Sequence, residues 1–517
     1  MKRRDFLRTS SSVSVPLFLN GFGLNALPRN MITSSLEQSD KVLVLIQMNG
    51  GNDGLNMLIP LDQYDHLANV RSNILIPESD VIKIDDSVGF HPNMAGLKDV
   101  YDSGKLNIVQ SVAYPNQNRS HFRSTDIWTS GSAAEDFKTT GWLGNYFDDN
   151  FPDYPDGYPN ADEPDPFALT IGSIVSETCQ GLSSNFSLAL TDPFNLSPLP
   201  EGATGPLPQT NYGSELSFLL GAIKQTNAYA DTITEAANNG NNLSDLYSDD
   251  NRLAQQLKTV ALLISGGLKT NVYVVTIGGF DTHANQVDGA DVRTGEHAEL
   301  LQLVSDAIHA FQDDLQKLDI EEKVLGMTFS EFGRQIASND SLGTDHGTAA
   351  PLMLFGSCVE PGILGDNPDI GDQVAAQEGV AMQYDFRSVY ASVLMDWFEI
   401  SQEKVEEIFF EGVQHLPIIA GCSTSTSIFD DQGLIDNVIA FPNPFAVNLN
   451  IEMGLAQGTY RISLYNHLGH EIRVLSNQKY STGKHKLKVH LADLPSGNYF
   501  VHFMGGQTQK VLKVVKL

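Results

Sequence analysis

Between residues 41 and 420 the chain alternates short apolar runs with longer segments whose apolar positions recur every three or four residues. The runs Val42 to Gln47, Leu106 to Val112, Val272 to Gly278, Val324 to Phe329 and Pro351 to Gly356 are β-branched or apolar almost throughout, the pattern of strands buried on both faces. Leu253, Leu257, Val260, Ala261 and Ile264 follow helical spacing, as do Leu301, Val304, Ile308, Phe311 and Leu315, and Val389 to Trp397 reads as a further helix. Strands alternating with helices predict an α/β domain, a mostly parallel sheet with helices on both faces.

The pattern changes after Ser423-Thr424-Ser425-Thr426-Ser427, a linker-like stretch. Five short β-rich runs follow, Thr459 to Tyr465, Glu471 to Leu475, Lys484 to Leu491, Asn498 to Phe503 and Lys510 to Leu517, separated by glycines. They predict a small C-terminal all-β sandwich. At the other end, Lys2-Arg3-Arg4-Asp5-Phe6-Leu7-Arg8 precedes a weakly apolar stretch, which is the layout of an export signal. The expected organisation is a signal over 1–30, the α/β domain over 41–420, a linker over 421–437 and the β domain over 438–517.

Charge sharpens this division. The whole chain carries 32 Lys and Arg against 63 Asp and Glu, a net −31, which argues against a nucleic-acid partner. Residues 1–29 hold five basic residues against one acidic, and 438–517 hold nine against three, so the acidity lies in between. No apolar run reaches eighteen residues, so no integral membrane span is expected. The three cysteines allow at most one disulfide and leave one over.

The polar chemistry collects where the predicted strands end. Val42 to Gln47 runs into Asn49-Gly50-Gly51-Asn52-Asp53-Gly54, Val272 to Gly278 into Gly279-Phe280-Asp281-Thr282-His283, and Val324 to Phe329 into Ser330-Glu331-Phe332-Gly333-Arg334. Gly343-Thr344-Asp345-His346-Gly347 lies just ahead of the fifth strand. Parallel sheets place their sites at the carboxyl ends of the strands, and Asp and His are ligands of hard to borderline divalent ions. The four loops together therefore point to a metal-type site. Arg334 has the chemistry to clamp a tetrahedral anion, or to pair with Glu331. His91 is read as structural, and His297 and His309 as helix residues outside the site.

Two resemblances give these pieces a context. Arg3-Arg4-Asp5-Phe6-Leu7 resembles a twin-arginine signal. The C-terminal stretch, with Phe441-Pro442-Asn443-Pro444-Phe445, Leu494-Pro495-Ser496-Gly497-Asn498-Tyr499 and the terminal Lys513-Val514-Val515-Lys516-Leu517, resembles the sorting domain of the type IX secretion system. Together they imply export machinery as partners, passage through the periplasm, and delivery to the cell surface or the medium. Residues 41–415 resemble the DUF1501 family in Gln47 to Asn56, Ser120-His121-Phe122, Gly141-Trp142-Leu143-Gly144, Gly278 to His283, Ser330 to Arg334, Gly343 to Gly347 and Asp385 to Tyr390. That family is similar to the alkaline phosphatase and sulfatase superfamily, whose members bind one or two metals at strand ends and hydrolyse phosphate or sulfate esters.

The resemblance implies metal ligands at Asp53, Asp281, His283, Asp345 and His346, with a divalent ion such as zinc or calcium. It also implies a Ser or Thr nucleophile, for which Ser111, Ser120, Thr129 and Ser130 qualify by position. Ser120 is favoured because His121 and Arg119 adjoin it, which makes Ser120, His121 and Arg334 the expected catalytic group. The function implied is an exported metal-dependent hydrolase acting on an anionic ester, in a glycan or a small molecule. The alternative is a non-catalytic surface protein that keeps the fold and binds glycan or a partner protein.

Overall fold

The computed structural model describes residues 40–196, 210–420, 435–455, 457–466, 470–505 and 508–517, together with two short strands near the N-terminus. Those strands, β1 (Leu17–Leu19) and β2 (Phe22–Leu24), pair antiparallel within a unit that ends at Asp40. The remainder of the expected signal over 1–30, and nearly all of the expected linker over 421–437, lie outside the described residues.

From Lys41 onward the strands are β3 (Val42–Asn49), β4 (Leu58–Pro60), β5 (Ile82–Lys83), β6 (Val88–Phe90), β7 (Leu106–Ala113), β8 (Ala168–Ile171), β9 (Ser187–Leu190), β10 (Val272–Gly278), β11 (Val324–Phe329), β12 (Ala350–Phe355), β13 (Gly362–Leu364) and β14 (Tyr384–Asp385). Nine of them form one sheet in the order β13-β7-β12-β11-β3-β10-β8-β9, with β14 also pairing β7. All neighbours are parallel except β12, which runs antiparallel to both β11 and β7.

Alternation along β3 builds two cores. Val42, Val44 and Ile46 face one apolar cluster that includes the helices Arg252–Ser265 and Glu296–Lys317. Leu43 and Leu45 face the other, with the helices His121–Ser130, Trp142–Asn150 and Phe386–Ser392. Burial of both faces is why these strands read as continuous apolar runs. The sequence did not signal β8, β9 or the long helix Asn211–Asn239, because short strands and a weakly amphipathic helix carry little periodicity.

The C-terminal strands are β15 (Ile435–Phe441), β16 (Asn448–Leu455), β17 (Gly458–Asn466), β18 (Glu471–Tyr480), β19 (Gly483–His490), β20 (Gly497–Gly505) and β21 (Thr508–Lys516). They form two antiparallel sheets, β15-β16-β19 and β18-β17-β20-β21, around a core of their own that includes Ile451, Ile462, Leu464, Val501 and Phe503. Cys358 is disulfide-bonded while Cys179 is buried and free, its thiol pushed up to about 12 by burial. A stable disulfide suits an oxidising compartment outside the cytosol.

Candidate metal centre

The direction of β12 decides the site. In an all-parallel sheet, the loop ahead of a strand lies at the edge opposite the loops that follow strands. Because β12 runs backwards, Gly343 to Gly347 arrives at the carboxyl edge and meets the loops that leave β3, β10 and β11. The backbones approach closely there. Gly50 has φ +123°, and a Cβ on it would lie 2.2 Å from the Asp281 amide nitrogen. A Cβ on Gly343 would lie 2.4 Å from the His283 carbonyl. No larger residue fits either position without shifting the loops that carry Asp281 and His283.

Three imidazoles converge on one carboxylate oxygen. Asp281 Oδ1 lies 3.4 Å from His121 Nε2, 3.1 Å from His283 Nε2 and 3.2 Å from His346 Nε2. His283 Nε2 and His346 Nε2 are themselves 2.8 Å apart. Each ring's other nitrogen faces an acceptor: His121 Nδ1 donates to Glu331 Oε1 (2.9 Å), His283 Nδ1 to Asp345 Oδ1 (2.8 Å) and His346 Nδ1 to the Arg119 carbonyl (2.8 Å). A proton on each Nδ1 leaves a lone pair on each Nε2 of the neutral ring. The ligand atoms of His121, Asp281 and His346 all lie within 4.8 Å of one another, with His283 Nε2 against His346, an arrangement of acceptors that a shared cation relieves. Nδ1 bonded outward with Nε2 aimed inward is also how metal-binding histidines are held.

Electrostatics favour the ligating forms of His346 and Asp281. Desolvation pushes His346 below its ordinary value, with Arg334 and His121 adding to the shift against the opposing bonds to Arg119 and Asp281. Burial alone would raise Asp281, but the hydrogen bond and charge of Arg334, with His346 and His121, hold it below the usual carboxylate range. Asp281 is ionised and His346 neutral at neutral pH, as ligation requires.

The expected site residues divide accordingly. Asp281, His283 and His346 are brought together, and His121 joins them as a nitrogen donor. Asp345 stands behind His283 and holds its ring, with Asn339 donating to the same oxygen at 3.4 Å. Asp53 is not in the cluster. It caps a short helix at Leu55 N, is 1 % exposed, and its oxygens bond to Arg71 Nη1 at 3.0 and 3.1 Å and to Gln286 Nε2 at 2.6 Å. Burial would raise its pKa, yet Arg71, His297 and Gln286 together hold it low.

Arg334, expected as an anion clamp, is fully buried with its guanidinium committed. It donates to the carbonyls of Gly50, Gly51, Phe280 and Thr344 and to Asp281 at 2.8 Å, tying the strand-end loops together. It does not pair with Glu331, which accepts instead from Gly50 N (2.7 Å) and His121. Ser120, expected as the nucleophile, is the exposed N-cap residue of the helix His121–Ser130, and its side chain makes no capping bond.

Beside the cluster opens a cleft of about 1240 Å³ whose walls include His121, Thr125, Thr129, Asp281 and Glu331. Thr125 stands one helical turn after His121, and Ser120 is not among the lining residues. Of the described residues lining the cleft, Arg252 is the one Lys or Arg, against Asp126, Glu177, Asp250, Asp281 and Glu331. The roles of Glu331 and the Arg119 carbonyl were missed in the sequence. Glu331 carried a weak signal, its place in a strand-end loop. A backbone carbonyl carries none.

Residues 212–409 match the family described as "Protein of unknown function (DUF1501)", and residues 439–517 match the secretion system C-terminal sorting domain. Asp281, His283, Glu331, Arg334, Asp345 and His346 fall within the first match, and His121 precedes it. No curated protein matches the chain. Among solved structures, the chain is similar to the phosphonate monoester hydrolase of Silicibacter pomeroyi at 9 % identity and TM-score 0.35, over 84 % of this chain and 90 % of that one. It is also similar to a sulfatase of Pseudoalteromonas sp. at 10 % and 0.32, over 86 % and 83 %. An alkaline phosphatase superfamily protein of Vibrio parahaemolyticus matches at 10 % and 0.32, over 99 % and 88 %.

Proposed function

We propose that this exported chain, with its DUF1501 segment and its sorting domain, is a metal-dependent hydrolase of phosphate or sulfate esters. The observation that carries the reading is the convergence of His121, His283 and His346 Nε2 on Asp281 Oδ1, every Nδ1 turned outward. Three nitrogens and one oxygen suit zinc or a similar borderline ion better than calcium, which takes oxygen ligands. A divalent ion bound there would supply Lewis-acid polarisation of an ester oxygen and a water acidic enough to attack near neutral pH.

The chain's own residues do the rest. His121, His283 and His346 would hold the ion, and Glu331, Asp345 and the Arg119 carbonyl fix their rings. Arg334 holds Asp281 against them. With Arg334 engaged and carboxylates dominating the cleft wall, an anionic ester would find its positive charge in a bound ion rather than in a protein cation.

A second reading follows from the same donors. Four protein ligands can close a tetrahedral site, and closed sites are structural, so the chain can instead be a non-catalytic binder of glycan or a partner protein. One experiment separates the two: metal content by elemental analysis, measured alongside turnover of aryl phosphates and aryl sulfates. Metal at one equivalent with turnover abolished by His283→Ala supports the hydrolase. Metal at one equivalent without turnover supports the binder. No uptake of any divalent ion removes both.

A further inference from the structure

The basic C-terminal domain and the acidic body meet at the sheet edge formed by β13 and β14. Phe441, at the end of β15, packs its ring 5.1 Å from that of Tyr384 on β14, and both are at most 1 % exposed. Ile439 and Phe441 belong to the apolar core of the body, while Val438 and Ala440 belong to that of the tail, so β15 serves both. The Gln414 side-chain amide of the body lies 3.0 Å from both the nitrogen and the oxygen of Ala440.

Charged groups surround this plug. Lys486 pairs with Asp366 and lies 5.1 Å from the Phe441 ring centre. Asn450 donates to the other Asp366 oxygen at 3.3 Å, Lys484 pairs with Glu360 at 3.3 Å, and Lys513 donates to the Glu411 carbonyl at 3.3 Å. A buried aromatic anchor within a polar, solvent-reached rim is the anatomy of a specific interface.

We propose that this contact is a clasp strong enough to keep the sorting domain docked on the body even if the connecting chain is cut, so that breaking the chain would not by itself separate the two. The apolar plug supplies the holding energy, and the lysine pairs supply register and attraction, because half-exposed ion pairs are weak and screened by salt. The clasp also hides part of the address. Phe441 opens the run Phe441-Pro442-Asn443-Pro444-Phe445 that marks the domain in the sequence, and its ring is covered by the body. A receptor that reads that ring meets it only on an undocked tail.

The test uses the full chain with Ser423 to Ser427 replaced by a specific protease site. After cutting, the two pieces are run by size exclusion at about 50 mM salt, where charges act over more than 10 Å. The pieces are expected to co-elute. Lys486→Glu is expected to weaken their association tenfold or more, and Asp366→Lys in the same chain to restore it. Phe441→Ala is expected to separate them. Separation of the unsubstituted pieces at low salt overturns the proposal. Co-elution of the Phe441→Ala pieces overturns the plug, and Lys486→Glu pieces that bind as well as the originals overturn the charged half. Restoration by the paired charge reversal is an outcome that misfolding does not produce.

Discussion

Asp53 and Asp281 both follow a strand of the same sheet, both are held by an arginine buried to its tip, and the sequence put both forward as metal ligands. Their surroundings differ in one respect. Asp53 is sealed, with both oxygens bonded by Arg71, one more bond from Gln286 and another from its own helix start. Asp281 is half-exposed, and where Asp53 has donors it faces three imidazole nitrogens that carry lone pairs. A carboxylate whose charge is answered by protein donors is part of the scaffold. One whose neighbours are further acceptors is open to a cation. The arginine is common to both, so it is the third party that separates a structural carboxylate from a candidate ligand.

The largest test of the comparison is to unseal Asp53. Arg71→Ala leaves a buried carboxylate without its countercharge, which typically costs about 3–5 kcal/mol, and denaturant unfolding should show a loss of that size. The equivalent loss around Asp281 should be much smaller, since water reaches it. If Arg71→Ala costs less than about 1 kcal/mol, Asp53 is not the sealed centre described.

Acid should find the sealed network next. Burial pushes His297 down to about 4 and His91 down to about 3, the former against the pull of Asp53. Both stay neutral in the fold, whereas in the unfolded chain they take up protons below about 6.5. Stability is therefore complete above about pH 6.5 and falls as the pH drops toward 4, by about 3 kcal/mol from His297 alone. Asp53, with its depressed pKa, adds a further loss only at still lower pH. Unfolding measured across this window should slope, and His297→Gln should flatten the slope; an unchanged slope would place the acid sensitivity elsewhere.

The open cluster should respond to metal in the opposite sense. Zinc at about a hundred times its dissociation constant should stabilise the chain by about 2.7 kcal/mol, and His283→Ala or His346→Ala should abolish the gain while leaving the metal-free stability nearly unchanged. Thermal melts with and without zinc measure it. Asp53→Asn that lost zinc binding while remaining folded would reverse the assignment of the two carboxylates.

The smallest expected effect is that of the ring-holding residues. Asp345→Asn and Glu331→Gln should each weaken metal binding about 10–100-fold without abolishing it. Losses as complete as those of the histidine variants would make these carboxylates ligands themselves.

Most of the sheet was legible in the chain. Five apolar runs predicted five strands to within two residues at each end, because strands buried on both faces must be apolar at every position. The helices Arg252–Ser265 and Glu296–Lys317 were legible from their spacing, and the terminal β domain from its short runs between glycines. The candidate site was legible as residue types at strand ends. Asp281, His283 and His346 were named, and His121 was put forward with Ser120, though as a catalytic residue rather than a ligand.

Which of those residues share a centre was decided by tertiary structure. Sequence spacing says nothing of strand direction, and the antiparallel course of β12 is what carries His346 to the edge where β10 delivers Asp281 and His283. Nor does it say who neutralises a carboxylate. Arg71 reaches Asp53 from a helix 18 residues on, and Arg334 reaches Asp281 across 53 residues. Local pattern determines what each segment must bury, because burial follows composition and period. Partnership between charges depends on distance in space, which the chain sets only once it is folded.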